Sequence, residues 1–122
     1  MDILLEMKGY NKMITVKELK EKLRGNNYDL TSFSDEECNL FERLNQLKGH
    51  EGKLVRHFKG KFYMVVGIAQ HTETSEELVI YKAMYGDYKI YARPIDMFLS
   101  KVDKIKYPEA DQEYRLEFIE LN

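Results

Sequence analysis

The chain of 122 residues has one cysteine, two prolines and no tryptophan, and no apolar run approaches the roughly 20 residues of a membrane-spanning helix. A single thiol, Cys38, excludes an intrachain disulfide and makes a reducing, cytoplasmic compartment the expectation. Cys38 falls in a helical stretch with no histidine near it in sequence, so it reads as a small packing residue rather than a nucleophile. An excess of one charge is lacking too. There are 19 basic and 21 acidic side chains, a formal net charge of −2, and 8 and 9 of these lie before residue 51, so neither half is polarised. A chain so balanced has no global attraction for double-stranded nucleic acid or an anionic membrane. The start carries no signal-peptide block, because Ile3, Leu4 and Leu5 run at once into Glu6 and Lys8. Collagen-like, wholly disordered and membrane-spanning classes are thereby removed. The 43% hydrophobic and 33% charged content that remains is ordinary for a globular chain with a modest core.

Residues 1–13 are poorly patterned and read as a loose arm. Two helix signatures follow. Thr15 with Glu18 is a capping box, Val16, Leu19 and Leu23 recur at helical spacing, and Gly25 is a natural stop. Ser34 with Glu37 repeats the device ahead of Leu40, Phe41, Leu44 and Leu47, and Gly49 ends that stripe. These predict a helix hairpin over about Thr15 to Lys48, within an N-terminal segment 1–50. The glycines of Gly49-His50-Glu51-Gly52 mark a hinge to a second segment, 51–122. There the pattern is strand-like. Leu54–Phe58 leads into a two-residue Lys59-Gly60 turn, and Phe62–Ala69 is apolar on both faces, as in a covered strand. His71–Glu77 is a polar connector, and Leu78–Tyr85 and Tyr88–Arg93 flank a Gly86-Asp87 turn. Pro94 opens a short helical turn through Phe98, and Tyr114, Leu116 and Phe118 alternate with charge in a last strand. The class is α+β, with five short strands in a small antiparallel barrel or strongly curled sheet.

A two-residue Gly86-Asp87 loop sets Tyr85 across from Tyr88, Ala83 from Ile90 and Tyr81 from Ala92. Together with Val79 these form the core side. The other side then carries Ile80, Lys82 and Met84 beside Lys89, Tyr91 and Arg93, a basic-aromatic strip. Tyrosine offers a stacking face and arginine a forked donor for phosphate or carboxylate, which nucleotides and single-stranded nucleic acids both require. The bland alternative is that Lys82 lies over Tyr91 as a solvent-facing pair and nothing binds. The connector lies at the same end of the sheet as Arg93, so His71, Thr72 and Glu73 are candidates to join it, with Glu73 orienting His71. Against this stands a plain pairing of Glu73 or Glu77 with Arg93. His57, near the opposite rim, belongs to a local cationic cluster with Lys53, Arg56, Lys59 and Lys61, which is either a solvated face or a phosphate contact helped by Gly60.

His50, His57 and His71 have no metal-ligand spacing, and no phosphate loop, nucleophile elbow or zinc-hydrolase helix is present. His71 with Glu73 is the one plausible acid–base pair. No metal, cofactor or catalytic residue is assigned, and a non-enzymatic protein is the expectation.

His57-Phe58-Lys59-Gly60, His71-Thr72-Glu73-Thr74, Tyr85-Gly86, Arg93-Pro94 and Met97-Phe98, in that order, resemble the small bacterial and phage family labelled domain of unknown function 1653. The resemblance covers about Gly52 to Phe118. Thr72 stands where the family usually has serine, and Tyr91 where it usually has tryptophan. The resemblance implies an SH3-like small barrel and no activity. The leading functional expectation is a binding module for an anionic or nucleotide-type ligand, with candidate residues Arg93, Tyr91, Lys82, Lys89, His71, Thr72, Glu73 and His57. In a phage setting, which the resemblance alone supplies, such a module would sequester a host signalling nucleotide. The alternatives are a protein-interaction adaptor or homodimer built on the N-terminal helices, and single-stranded nucleic-acid binding through the strip.

Overall fold

The structure is a computed structural model that describes residues 14–27, 29–49 and 51–119. The predicted arm 1–13 and His50 of the predicted hinge lie outside the described residues. The chain divides into two compact units, one up to Glu42 and one from Arg43 onward.

In the first unit, α1 spans Val16–Gly25 and α2 begins at Asp35, running on to Lys48 in the second unit. Both capping boxes form. Thr15 Oγ1 accepts from Glu18 N–H at 3.0 Å while Glu18 Oε1 accepts from Thr15 N–H at 3.0 Å. Ser34 and Glu37 exchange the same pair at 3.1 and 2.8 Å. Each box satisfies two N–H groups that a helix start leaves without partners. Glu37 also receives Lys22 Nζ of α1 at 2.8 Å, with Lys22 over the Phe33 ring at 4.7 Å. The Lys22 bond, followed by the Ser34 N–H, holds the Glu37 carboxyl below its ordinary value. Val16, Leu19 and Leu23 are buried on one stripe, as their spacing predicts.

The second unit is an antiparallel sheet in the order β4-β3-β2-β1-β5, with β1 Leu54–His57, β2 Phe62–Gln70, β3 Glu77–Ala83, β4 Ile90–Pro94 and β5 Leu116–Phe118. One turn of helix, α3 at Ile95–Phe98, follows Pro94. The five predicted strands are present, but the sheet is open, with β4 and β5 as its two edges. Its inner face buries Val55, Val65, Val79, Tyr81, Ala83 and Leu116, and Ile95, Phe98, Leu99 and Val102 are buried after it. Arg43 is buried as well. Its guanidinium stacks 3.8 Å from the Tyr114 ring centroid and donates to Leu116 O at 3.0 Å, and burial lowers its proton affinity.

Three strand expectations need correction. The β1–β2 connection holds three residues rather than two, because His57 N–H donates to Lys61 O. Gly60, at φ 101°, takes a backbone conformation that side chains disfavour. The strand β2 is not covered on both faces. Val65 is buried, but Phe62 and Val66 are exposed, and Val66 is the extra residue of a bulge between Val65 and Gly67. The third correction decides the site. Tyr81 pairs with Tyr91, Val79 with Arg93 and Lys82 with Ile90, one residue away from the pairing expected of a two-residue loop. The Tyr85–Tyr88 turn does close around Gly86 at φ 59°, but Tyr88 itself takes φ 55°, and Met84 N–H is drawn to Phe62 O of β2. An odd number of residues then separates the paired positions, and the faces of β4 exchange. Val79, Tyr81 and Ala83 are core residues as expected, whereas Tyr85 and Tyr88, expected beside them, are exposed, Ile90 is 62% exposed and Ala92 is exposed on the outer face.

Phe98 is fully buried with its ring edge-on to Tyr81. Phe98→Ala is expected to lower the unfolding free energy by about 3–5 kcal/mol, as for large-to-small changes in a packed core. Urea unfolding followed by far-UV circular dichroism measures this, and a loss of only about 1 kcal/mol would show that the ring is not a core element.

Candidate functional site

The pairing carries Tyr91 and Arg93 onto the inner face beside Tyr81, and leaves Lys82 on the outer face. Lys82 stands over Tyr88 at 5.9 Å, not over Tyr91. The predicted strip is therefore split between two faces. Lys89 is exposed in the hairpin, where its carbonyl accepts Ala83 N–H. The connector is a self-contained turn. His71 Nδ1 accepts Glu73 N–H at 3.0 Å and Thr74 N–H at 3.3 Å, and His71 O accepts Ser75 N–H. Glu73 thus fixes the His71 ring through its backbone rather than its carboxylate, and Thr72 and Glu73 are exposed. The cationic cluster near Gly60 divides as well. Arg56 turns to Gln112 and Asp111, while His57 lies on the face of Val55.

What remains is a series of contacts that leads from Arg93 through Tyr81 and, by way of neighbouring segments, to Arg115 and His57. Arg93 Nε donates to Tyr81 Oη at 3.0 Å. The Tyr81 ring lies 5.4 Å from that of Phe98. Two residues on, Ser100 Oγ accepts from Arg115 Nε at 3.3 Å. Arg115 O accepts from Phe58 N–H at 3.0 Å, and Phe58 stacks on His57 with centroids 4.5 Å apart. His57 lies 6.3 Å from Tyr63, and Tyr63 meets Tyr81, Tyr85 and Tyr91 edge-on. The Tyr91 ring, 41% exposed, is the open part of this aromatic wall. Sequence reasoning missed Arg115, Tyr63 and Tyr85. Arg115 sits in the alternating Tyr114–Phe118 stretch at a position that pattern assigns to solvent, so no local signal marks it.

The electrostatics are one-sided. Both guanidinium Nε atoms are tied to neutral hydroxyls, and among the described residues neither Arg93 nor Arg115 is in an ion pair. Burial, then the adjacent Arg93, lowers the proton affinity of Arg115. Burial, then Arg115, Arg93 and Lys59, brings His57 down to about 4. His57 is therefore neutral near pH 7. Its Nδ1 accepts Lys59 N–H at 3.0 Å, which leaves the ring proton on Nε2 as a donor. Burial and the bond to Tyr85 raise the Tyr63 hydroxyl above its ordinary value, so that ring is neutral too. The arrangement presents N–H donors, two fixed positive charges and an exposed ring, which suits an anion. Among the described residues no cluster of His, Cys, Asp and Glu can hold a metal ion, and no helix is long and apolar enough to cross a membrane.

The family described as "Protein of unknown function (DUF1653)" matches residues 53–117, a span that includes His57, Tyr91, Arg93 and Arg115. A crystal structure of a protein of the same family from Bordetella bronchiseptica is 24% identical, with a TM-score of 0.49, over 60% of this chain and 91% of that one. No curated protein matches the chain.

His57 binds a proton less readily folded than unfolded. Between pH 6.5 and about 4 the unfolded chain therefore holds more protons, and stability falls as pH drops through that window. The His57 ring resonances are expected to titrate near pH 4 by NMR, and His57→Gln is expected to flatten the decline in urea midpoint over the same range. Titration at or above pH 6 would contradict the assigned environment.

Proposed function

This chain belongs to the family of proteins of unknown function labelled DUF1653, and from that premise we propose that its second unit is a non-enzymatic binding module for an anion of the phosphate or nucleotide type. One observation carries the reading. Arg93 and Arg115 are both half-buried and lie within electrostatic reach of each other and of His57, and among the described residues no carboxylate pairs with either. Two like charges there repel, and an anion that accepts from their outer nitrogens relieves the repulsion with charge-assisted bonds. His57 Nε2–H adds a neutral donor, and the exposed Tyr91 ring gives a base or sugar a stacking surface. Lys82, His71, Thr72 and Glu73 fall outside this site, and Lys89 is at most a peripheral cation on the hairpin.

The strand order, with β5 returning beside β1, is the order we take as SH3-like, with the barrel left open between β4 and β5. A cytoplasmic setting completes the proposal, resting on the unpaired thiol of Cys38.

Calorimetry of the full chain against nucleoside monophosphates, cyclic nucleotides and a short oligothymidylate tests the reading. Heat is expected with at least one nucleotide. Arg93→Ala and Arg115→Ala should each weaken binding by roughly 1.5–3 kcal/mol, the range for a hydrogen bond to a charged group. Tyr91→Ala should weaken it by about 1–3 kcal/mol if a base stacks there, and Glu73→Ala should leave it unchanged. Silence across the whole panel, or full affinity in Arg93→Ala, removes the proposal. Retention of the oligonucleotide alone, with steep salt dependence, would favour the single-strand reading instead.

A further inference from the structure

The strand β4 is an edge, and its backbone toward solvent is unused. Ala83 N–H donates to Lys89 O, so in this antiparallel ladder Lys89, Tyr91 and Arg93 turn their amides to β3, and Ile90, Ala92 and Pro94 turn theirs away. Pro94 therefore lies in the ladder without losing a bond to β3. Natural edges are blunted by charge, bulges or proline. Here the bulge is on β2, and Lys89 at one end of β4 and the inward-turned Arg93 with Pro94 at the other protect only its ends, which leaves the Ile90 and Ala92 rungs open. Ile90 and Ala92 are exposed on the outer side, with free N–H groups beside them.

We propose that β4 pairs antiparallel with β4 of a second copy of this chain, about a two-fold axis at Ala92. The occupant is chosen by register. Centred on Ala92, the pairing sets Ile90 across from the partner's Pro94, Ala92 across from the partner's Ala92, and Tyr91 across from the partner's Arg93. Ile90, Ala92 and Pro94 join in one apolar row on the outer side. On the inner side the two Tyr91–Arg93 contacts bring a ring beside a cation, and no like charges stand directly opposite. Ala92 N–H and Ala92 O serve each other across the axis, and Ile90 N–H reaches the partner's Pro94 O. Four backbone bonds result, with the missing proline N–H at the outer rung. A net charge of −2 adds little repulsion between copies. The symmetry closes the interface at two chains, since β4 is used once in each.

Sedimentation velocity on the full chain over a range of concentrations, combined with amide hydrogen exchange, tests the proposal. A concentration-dependent dimer is expected, in which the Ile90 and Ala92 amides are protected as the dimer forms. Ala92→Pro removes the central N–H but none of the β3–β4 bonds, and should raise the dissociation constant roughly tenfold or more. Ile90→Lys, which adds charge at an exposed position and cannot disturb the core, should do the same and decides the matter if the proline variant fails to fold. A wild-type chain that stays monomeric overturns the proposal. So does a dimer in which Ile90 and Ala92 exchange freely, or one that both variants leave intact. None of these outcomes depends on any anion being bound.

Discussion

Arg93 Nε reaches the Tyr81 hydroxyl only because an odd number of residues separates the paired positions of β3 and β4. Side chains alternate across a strand, so a single residue in the hairpin decides whether Tyr91 and Arg93 stand beside Tyr81 or behind it. The residue responsible is in the hairpin, where Tyr88 adopts φ 55° and Met84 is held by Phe62 of β2. A tyrosine in the left-handed region costs about 1–2 kcal/mol. The sheet tolerates this because the alternative register would expose Arg93 and Tyr91 outward and drive Ile90 and Ala92 into a core already filled by Tyr81, Phe98 and Leu99.

That geometry creates an electrostatic problem which the fold only half resolves. Histidine and arginine respond to crowding by positive charge in different ways. His57 gives up its proton and becomes a neutral donor. Arginine cannot deprotonate at accessible pH, so Arg93 and Arg115 keep their charges in each other's field. The hydroxyls of Tyr81 and Ser100 accept from the two groups without neutralising them. A structure selected for stability alone would be expected to place a carboxylate there. Arg43 in the same unit is also buried and also lacks an ion pair among the described residues: it stacks on Tyr114 and donates to Leu116 O, its Nε has no hydrogen-bond partner, and Tyr114, Glu117 and Glu113 act against the effect of burial on its charge.

Elements governed by local chemistry were legible in the amino-acid sequence, and those governed by long-range pairing were not. Thr15 with Glu18 and Ser34 with Glu37 declare their helix starts within four residues, because the groups that bond are the groups that are adjacent. The strands were legible by composition. Val79, Tyr81 and Ala83 were correctly placed inside, since β3 alternates cleanly. The faces of β4 were not, because Gly86-Asp87 advertises a two-residue turn and nothing in Tyr88 announces a positive φ. Lys59-Gly60 misled in the same way. Of the proposed site, Tyr91 and Arg93 share a face in either register because they are two apart on one strand, but the sequence assigns that face to the side of Lys82 rather than of Tyr81. Arg115 was not legible, because it reaches the site through Ser100 and Phe58, which the chain brings to it from two other segments. His71 was overvalued for the opposite reason, its nitrogen being consumed by its own turn.

One strand carries both proposals, and the alternation of its backbone keeps them separate. Tyr91 and Arg93 spend their amides on β3 and their side chains on the inner face. Ile90 and Ala92 have their amides toward solvent and their side chains on the outer face. A second copy added at the edge would bond to the even-numbered residues, leaving the Arg93–Tyr81 bond and the ring contacts of Tyr63 untouched. The one shared element is Tyr91, whose exposed ring would lie between its own Arg93 site and the partner's Arg93. If both proposals hold, the two sites of a dimer face one another across a pair of tyrosines, and a ligand stacked on one ring changes the environment of the arginine opposite. Communication between sites would then run through side chains on the inner face rather than through the strand pairing itself, because the ladder bonds are the same whether the sites are full or empty.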